Sequence, residues 1–93
     1  MGQHWRTYAR IVSILRDRIA MYHRDHPPPH FHARYGSQKA KFGIEELDII
    51  EGSLSPRARS MVREWATQHQ DELRRAWRLA SQSEPVFKIN PLE

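Results

Sequence analysis

Residues 22–35 read Tyr22-His23-Arg24-Asp25-His26-Pro27-Pro28-Pro29-His30-Phe31-His32-Ala33-Arg34-Tyr35. Three successive prolines supply no amide donors, so residues 27–29 cannot lie inside a helix or an interior strand. On either side, over residues 18–24 and 30–35, side chains alternate well enough for β-strands. The segment therefore predicts two antiparallel strands joined by a stiff, extended loop.

Further strands are indicated downstream. Residues 39–44 alternate polar with apolar and place Ala40, Phe42 and Ile44 on one face of a third strand, after the turn signal Gly36-Ser37. Residues 48–50 offer a fourth strand, and residues 85–89 offer a short edge strand at the C-terminus.

A long helix is the strongest prediction of secondary structure. Ser55 is a good N-cap, and Pro56 suits the first helical position because its missing N–H costs nothing there. Residues at three- and four-residue spacing then form one stripe as far as about Ser81. The stripe contains Ala58, Met61, Val62, Trp65, His69, Leu73, Ala76, Leu79 and Ala80. The pattern predicts one helix of roughly 25 residues, or about 38 Å.

These elements predict an α+β fold: an antiparallel meander of three to four strands packed against one long C-terminal helix, plus a short C-terminal edge strand. Residues 1–10 are expected to be a poorly ordered N-terminal extension, and residues 11–93 a single domain. Trp65 and Trp77 are predicted to lie in the core rather than in a binding site.

Composition narrows the class of protein. The 93 residues include no cysteine, which excludes a disulfide framework, a thiolate metal site and a cysteine nucleophile. No apolar run approaches the roughly 18 residues that a membrane span needs, and no secretory signal is recognisable, so a cytoplasmic protein without membrane contact is expected. The formal charge is +4, with six Lys/Arg against two acids in residues 16–41. Such a balance favours a polyanion or an acidic protein as partner, and the alternative is a solvated basic surface with no such partner.

The histidine-rich hairpin is the predicted working surface. His30 and His32 project from the same face of a strand, and His26 lies across the rigid loop. Three imidazoles in that arrangement suit a divalent transition metal, and Asp25 could add a carboxylate. The metal ligands are predicted to be His26, His30 and His32; the donor types suit Zn, Ni, Mn or Fe about equally.

The same residues suit metal-free chemistry. Histidine titrates near neutrality, and Asp25 beside His30, His32 or His26 would make acid/base pairs. Substrate contacts are predicted for four flanking side chains, two that hold phosphate and two that stack on bases. These are Arg24, Arg34, Tyr22 and Tyr35. A third interpretation is a hairpin stiffened by proline whose histidines are only hydrogen-bonded or exposed.

Two other polar groups are weaker candidates. His69 lies on the helical stripe, where a hydrogen-bonded core histidine is the usual finding, although His69 and Glu72 would both face the sheet and could complete a site with His30 and His32. The acids Glu45, Glu46 and Asp48 are predicted to form a solvated turn.

The segment Asp25-His26-Pro27-Pro28-Pro29-His30-Phe31-His32-Ala33 resembles the core of the bacterial domain-of-unknown-function 4160 family. Further agreement is found at Ala40-Lys41-Phe42, Leu54, Val62-Arg63-Glu64-Trp65, His69, Asp71-Glu72-Leu73, Trp77 and Lys88-Ile89-Asn90-Pro91-Leu92, so the resemblance covers about residues 11–92. The most recognisable family residues fall on Asp25, His26, Pro28, Pro29, His30 and His32. His23 departs from the pattern, since members more often carry an aromatic residue there, and it is left out of the predicted site.

The resemblance implies a small prokaryotic protein, often encoded beside a second small domain of unknown function (the 2442 family). That arrangement is similar to toxin–antitoxin pairs. By that analogy this chain would be the toxin-like partner, and its basic surface would dock a small acidic cognate protein. The family supplies no established catalytic set.

Two functions of different class follow as hypotheses. The first is a toxin-like component of a two-gene module that acts on a polyanion, RNA above all, through the histidine site; whether it is an enzyme stays open. The alternative is a non-catalytic binding module whose rigid His/Pro hairpin and Arg-rich helix dock a cognate partner protein. A metal-dependent enzyme for a small molecule is a third option, which needs a concave apolar pocket.

Overall fold

The sheet is an antiparallel meander. A computed structural model describes residues 8–14, 17–87 and 89, and places five consecutive strands side by side in the order β1-β2-β3-β4-β5. The strands are β1 (Tyr8–Ile14), β2 (Asp17–Tyr22), β3 (His30–Tyr35), β4 (Gln38–Gly43) and β5 (Asp48–Gly52), followed by the helices α1 (Pro56–Gln68) and α2 (Gln70–Ser81). No helix in this part of the chain has the length and apolar character needed to cross a membrane.

The predicted α+β class and the meander are confirmed, and the strand count is corrected. Strands β2 to β5 correspond to the four that were predicted, while β1 adds a fifth. The register of β1 against β2 shifts between Arg10 and Val12, which leaves one extra residue in β1. Such a bulge breaks the period-two pattern from which a strand is predicted. Of the predicted N-terminal extension, residues 1–7 lie outside the described residues and residues 8–10 belong to β1.

The single long helix was a wrong prediction: the chain forms two helices that meet at His69. The start was predicted correctly, because the Ser55 hydroxyl accepts a hydrogen bond from the Ala58 N–H at 3.2 Å and Pro56 is the first helical residue. At His69 the backbone leaves the helical region (φ −121°, ψ 26°), and the Gln70 side chain donates from Nε2 to the Ile44 carbonyl at 2.8 Å. The apolar spacing runs on through the break, so periodicity alone could not locate it.

The predicted C-terminal edge strand is also wrong. Among the described residues 85–87 and 89, no strand forms. Ile89 is instead buried in the core, and Val86 and Phe87 are partly buried and pack against the core. Arg75 lies over the Phe87 ring, with its guanidinium carbon 4.8 Å from the ring centroid. Packing of these apolar side chains in and against the core therefore takes the place of pairing at the edge of the sheet.

The core lies between the two helices and one face of the sheet. Phe31 on β3 stacks on Phe42 of β4 at 5.2 Å between ring centroids and meets the edge of Trp65 from α1 at 5.7 Å. Trp65 is fully buried, which confirms its predicted place in the core. Trp77 is half-buried and packs its ring 5.2 Å from that of His30. The helical layer thus reaches the histidine-rich strand directly.

The acidic segment after β4 ties the helices to the sheet. It was predicted to be a solvated turn, but Asp48 accepts hydrogen bonds from Arg59 (Nε to Oδ1, 2.7 Å) and from Arg63 (2.9 Å) on α1. Glu45 accepts two from Arg74 of α2, at 2.8 and 2.9 Å. The hydrogen bond from Arg59 holds the pKa of Asp48 well below its usual range, and that from Arg74 lowers the pKa of Glu45.

The change Asp48→Asn tests this tie through the pH dependence of stability. A carboxyl whose pKa is depressed by folding stabilises the fold above its unfolded pKa of 3.8 and loses that contribution as the pH falls below it. We expect Asp48→Asn to lower the melting temperature at neutral pH, and the difference from wild type to shrink as the pH falls towards about 2.5. Because Arg59 is exposed and Asp48 is partly exposed, solvent screening keeps the effect small.

The matched control is Glu46→Gln, which removes an exposed acid from the same turn. Thermal unfolding followed by circular dichroism from neutral to acid pH measures both variants. Identical pH profiles for the two would contradict a role for Asp48 in holding α1.

Candidate metal centre

The connection between β2 and β3 brings one carboxylate against two imidazoles. Asp25 lies in this connection, which includes a cis peptide bond between Pro27 and Pro28, and His30 and His32 lie on β3. The Asp25 Oδ2 atom is 3.1 Å from His30 Nε2 and 3.0 Å from His32 Nε2. The side chain of Asp25 is only 3% exposed. A buried carboxylate is tolerated because its oxygens are hydrogen-bonded, and Oδ1 accepts from the His26 backbone N–H at 2.8 Å.

The ring of His30 is held at both nitrogens by acceptors. Its Nδ1–H donates to the Pro28 carbonyl at 2.7 Å, and its Nε2 faces the Asp25 carboxylate. Because acceptors face both ring nitrogens, the position between Nε2 and the carboxylate has to hold a proton, carried by the ring or by the carboxyl group, or a cation. A backbone carbonyl on one nitrogen is the usual arrangement around a metal-binding histidine, since it fixes the tautomer and directs the other nitrogen at the ion. The proline-rich loop supplies that carbonyl.

His32 joins this buried pair to the surface. Its side chain is 24% exposed, and its ring centroid lies 4.4 Å from that of Tyr22. Burial lowers the pKa of His32 below 6.5, although the hydrogen bond to Asp25 acts in the opposite direction. The imidazole is therefore neutral at pH 7, which is the form that binds metals.

Two of the three distances between the donors match the spacing of ligands around a divalent ion. Nitrogen and oxygen ligands bind such ions at about 2.0–2.2 Å, so neighbouring donors in a tetrahedral or octahedral site lie roughly 2.8–3.6 Å apart. The two distances from Asp25 Oδ2, 3.0 and 3.1 Å, fall in that range. All three donor atoms lie within 4.8 Å of one another. Among the described residues, Asp25, His30 and His32 are the group whose donors converge in this way.

A basic cavity adjoins this group on the face of the sheet that carries His32. Its volume is about 650 Å³. It is lined by Ala20, Tyr22, His32, Ala33, Arg34, Lys39, Ala40, Lys41, Glu51 and Gly52. Three of these residues are cationic and one is acidic, and Glu51 is paired with Lys41 at 3.4 Å. The cavity therefore favours a negatively charged ligand beside His32.

The model of one protein family, described as a domain of unknown function (DUF4160), matches residues 18–78. The chain belongs to the DUF4160 family. The match runs from β2 to most of α2 and so includes the three converging donors. No curated protein matches the chain, and no solved structure matches it.

In this DUF4160 domain the predicted metal and catalytic residues are only partly brought together. Asp25, His30 and His32 converge, but the His26 side chain is exposed and its imidazole lies outside the group. His69 lies outside it as well; its Nδ1 pairs with Glu72, and its ring packs against Trp65. The proline-rich loop uses the backbone of His26, rather than its ring, to hold Asp25.

The predicted substrate contacts divide in the same way. Tyr22 and Arg34 line the cavity, whereas Tyr35 is half-buried at the far end of β3 and is not among the lining residues. Arg24 has a positive φ of 58°, and its backbone N–H donates to the Ala80 carbonyl at 2.9 Å, which joins the loop to the end of α2.

Sequence reasoning missed the cavity residues Lys39, Lys41 and Glu51. The available signal was the alternation in β4, which places Lys39 and Lys41 on the face opposite Ala40 and Phe42. Their proximity to the histidines depends on strand register, which pairs His32 with Lys41 and Arg34 with Lys39.

The change Asp25→Asn in metal-free protein tests the geometry of the group. It removes the charged acceptor shared by two imidazoles, and a hydrogen bond to a charged group contributes about 1.5–3 kcal/mol. We expect the free energy of unfolding to fall by that amount in urea denaturation.

Asp71→Asn is the control, because the Asp71 side chain is 96% exposed and pairs only at the surface with Arg74. We expect the control to change stability by no more than about 0.5 kcal/mol. Equal losses for the two variants would show that Asp25 does not anchor the histidines.

Proposed function

We propose that this DUF4160 protein is the toxin-like component of a prokaryotic two-gene module and acts on RNA at a metal centre formed by Asp25, His30 and His32. The observation that carries the proposal is the convergence of two imidazole nitrogens on one buried carboxylate oxygen beside a basic cavity. The reaction class is cleavage of a phosphodiester bond. A divalent ion at such a group supplies Lewis acidity towards a phosphoryl oxygen.

The protein's own residues have distinct tasks in this proposal. Asp25 and His30 are buried and preorganised, which keeps the ligand positions within the narrow limits that a metal site requires. His32 is the ligand that faces the cavity. Arg34 and Lys39, which line the cavity, hold phosphate groups of the RNA.

The proposed partner is a small acidic cognate protein encoded nearby, and this rests on the family resemblance. The alternative function, a non-catalytic module that docks a partner through the Arg-rich helix, has less support. Arg59, Arg63 and Arg74 already pair with acids of the β4–β5 turn, so much of the charge on the helices is neutralised within the chain. In that alternative, the His/Pro hairpin is the surface that remains available for docking a partner protein.

Metal binding is the first experiment. Calorimetric titration of tag-free protein with Zn²⁺ and Mn²⁺ is expected to give one ion per chain for wild type and none for His30→Ala/His32→Ala. His32→Gln serves as a milder variant that leaves the buried His30 in place. His26→Ala is the matched control and should bind like wild type, because its imidazole lies outside the group. Absence of binding in wild type, or loss of binding in His26→Ala, would contradict the metal centre.

Activity is the second experiment. Induced expression is expected to arrest bacterial growth and to degrade cellular RNA, and both effects should disappear in His32→Gln and persist in His26→Ala. Circular dichroism verifies that each variant is folded. Arrest that survives loss of His32 would overturn the proposed chemistry in favour of binding alone. If purified protein cleaves RNA equally well in excess chelator, the reaction does not need a metal, and an acid/base mechanism takes the place of the metal-dependent one.

A further inference from the structure

The face of the sheet opposite the core is built from rows of side chains that the strand register fixes. Ala20, His32, Lys41 and Glu51 are successive register partners across β2 to β5, and Arg34 pairs with Lys39 in the next row. Neighbouring strands lie about 4.8 Å apart, so the first row spans about 14 Å. The second row lies about 7 Å further along the strands.

An aromatic ring stands at the other end of this face. Tyr22 lies two residues beyond Ala20 on β2, on the same face, and leans its ring on His32 at 4.4 Å between centroids. By the spacing along β2, Tyr22 lies about 13 Å from the level of Arg34 and Lys39. The small side chain of Ala20 leaves space between the Tyr22 ring and the two cations, Arg34 and Lys39. All four residues line the cavity of about 650 Å³.

We propose that this face binds single-stranded RNA, with an unpaired base on Tyr22 and the adjoining phosphates on Lys41, Arg34 and Lys39. The assignment rests on the proposed action on RNA and names its substrate class.

The argument for a single strand is geometric. Tyr22 is half-buried and lines the cavity, and a base reaches such a ring only when it is unpaired and turned out of its stack. A site made only of cations would bind double-stranded RNA as well, since single-stranded and double-stranded RNA both carry phosphates. Aromatic and cationic groups on one open sheet face are the combination used for unpaired bases. The path from Tyr22 to Lys41 passes His32, so a bound strand would lie across the metal centre.

In this arrangement Glu51 lowers the affinity of the cavity for the RNA strand. Its carboxylate lies 3.4 Å from Lys41 Nζ, and it is the acid among the cavity-lining residues. Its removal leaves Lys41 available to phosphate and takes a negative charge out of the cavity. Glu51→Gln is therefore expected to tighten RNA binding, whereas Lys41→Gln should weaken it.

The test is fluorescence anisotropy with a short labelled RNA of mixed sequence, alone and annealed to its complement, in chelator so that metal plays no part. Wild type is expected to prefer the single strand. Tyr22→Leu should weaken single-strand binding by about tenfold or more, while Tyr22→Phe, which keeps the ring, should bind like wild type.

Charge variants give a second, independent readout. For single strands each phosphate contact contributes about 0.7 to the slope of log K against log salt, so Lys39→Gln should lower the slope by about that amount. Arg57→Gln removes the same charge from the exposed surface of α1 and should leave the slope unchanged. Equal binding of duplex and single strand, no loss in Tyr22→Leu, or equal slope changes in the two charge variants would each overturn the proposal.

The two proposals can fail separately. Single-strand binding that depends on Tyr22 but comes without metal binding or cleavage would remove the metal-dependent function and leave the nucleotide site standing. Metal binding and cleavage with wild-type RNA affinity in Tyr22→Leu would overturn the nucleotide site alone.

Discussion

One buried carboxylate oxygen holds together the part of this domain where loop, sheet and helix meet. Oδ2 of Asp25 lies 3.1 Å from His30 Nε2 and 3.0 Å from His32 Nε2, and Oδ1 accepts a hydrogen bond from the His26 backbone N–H. Because an uncompensated carboxylate is costly to bury, these contacts define the position of the loop as much as that of the histidines. The loop is fixed at two further points: the Pro29 carbonyl accepts from the Ile44 N–H, and the Arg24 N–H donates to the Ala80 carbonyl.

The distribution of charge separates the two sides of the domain. On the helical side, Asp48 and Glu45 pair with arginines of α1 and α2, so these acids and bases serve the packing of the helices on the sheet. On the opposite face of the sheet, Arg34 and Lys39 lie beside a cavity that one acid lines. The net charge of +4 is therefore less informative than its location. A basic face next to a neutral histidine favours a negatively charged ligand.

The histidine group is also linked to the core. His30 packs against Trp77 of α2 on one side and against His32 on the other, with ring centroids 5.2 and 5.0 Å apart. The next residue, Phe31, packs against Trp65. Two neighbouring residues of β3 thus serve the site and the core, and a rigid strand places the two imidazoles more accurately than a loop would. This arrangement lets a small domain hold a preorganised site.

Local patterns in the sequence determined the strands from β2 to β5, the hairpin at Gly36-Ser37 and the start of α1 at Ser55. They also determined that His30 and His32 lie on the same face of their strand. Each of these depends on residues a few positions apart, through period-two alternation, turn chemistry or capping. Asp25 was a candidate on the same grounds, being close in sequence to both histidines. The family was recognisable from the residues around the prolines, because that spacing is itself a local pattern.

Only the tertiary structure decided the features that depend on distant residues. The break at His69 coincides with the contact from Gln70 to Ile44, and the acids at 45 and 48 are neutralised by arginines of the helices. The fold also brings the Asp25 carboxylate, rather than the His26 imidazole, against His30 and His32, since the carboxylate turns inward while the His26 ring is exposed. Lys39 and Lys41 came beside the histidines through the register of β3 and β4. A sequence pattern shows which face a side chain takes, but which residues share a site is decided by strand register and helix packing, which act between residues far apart in the chain.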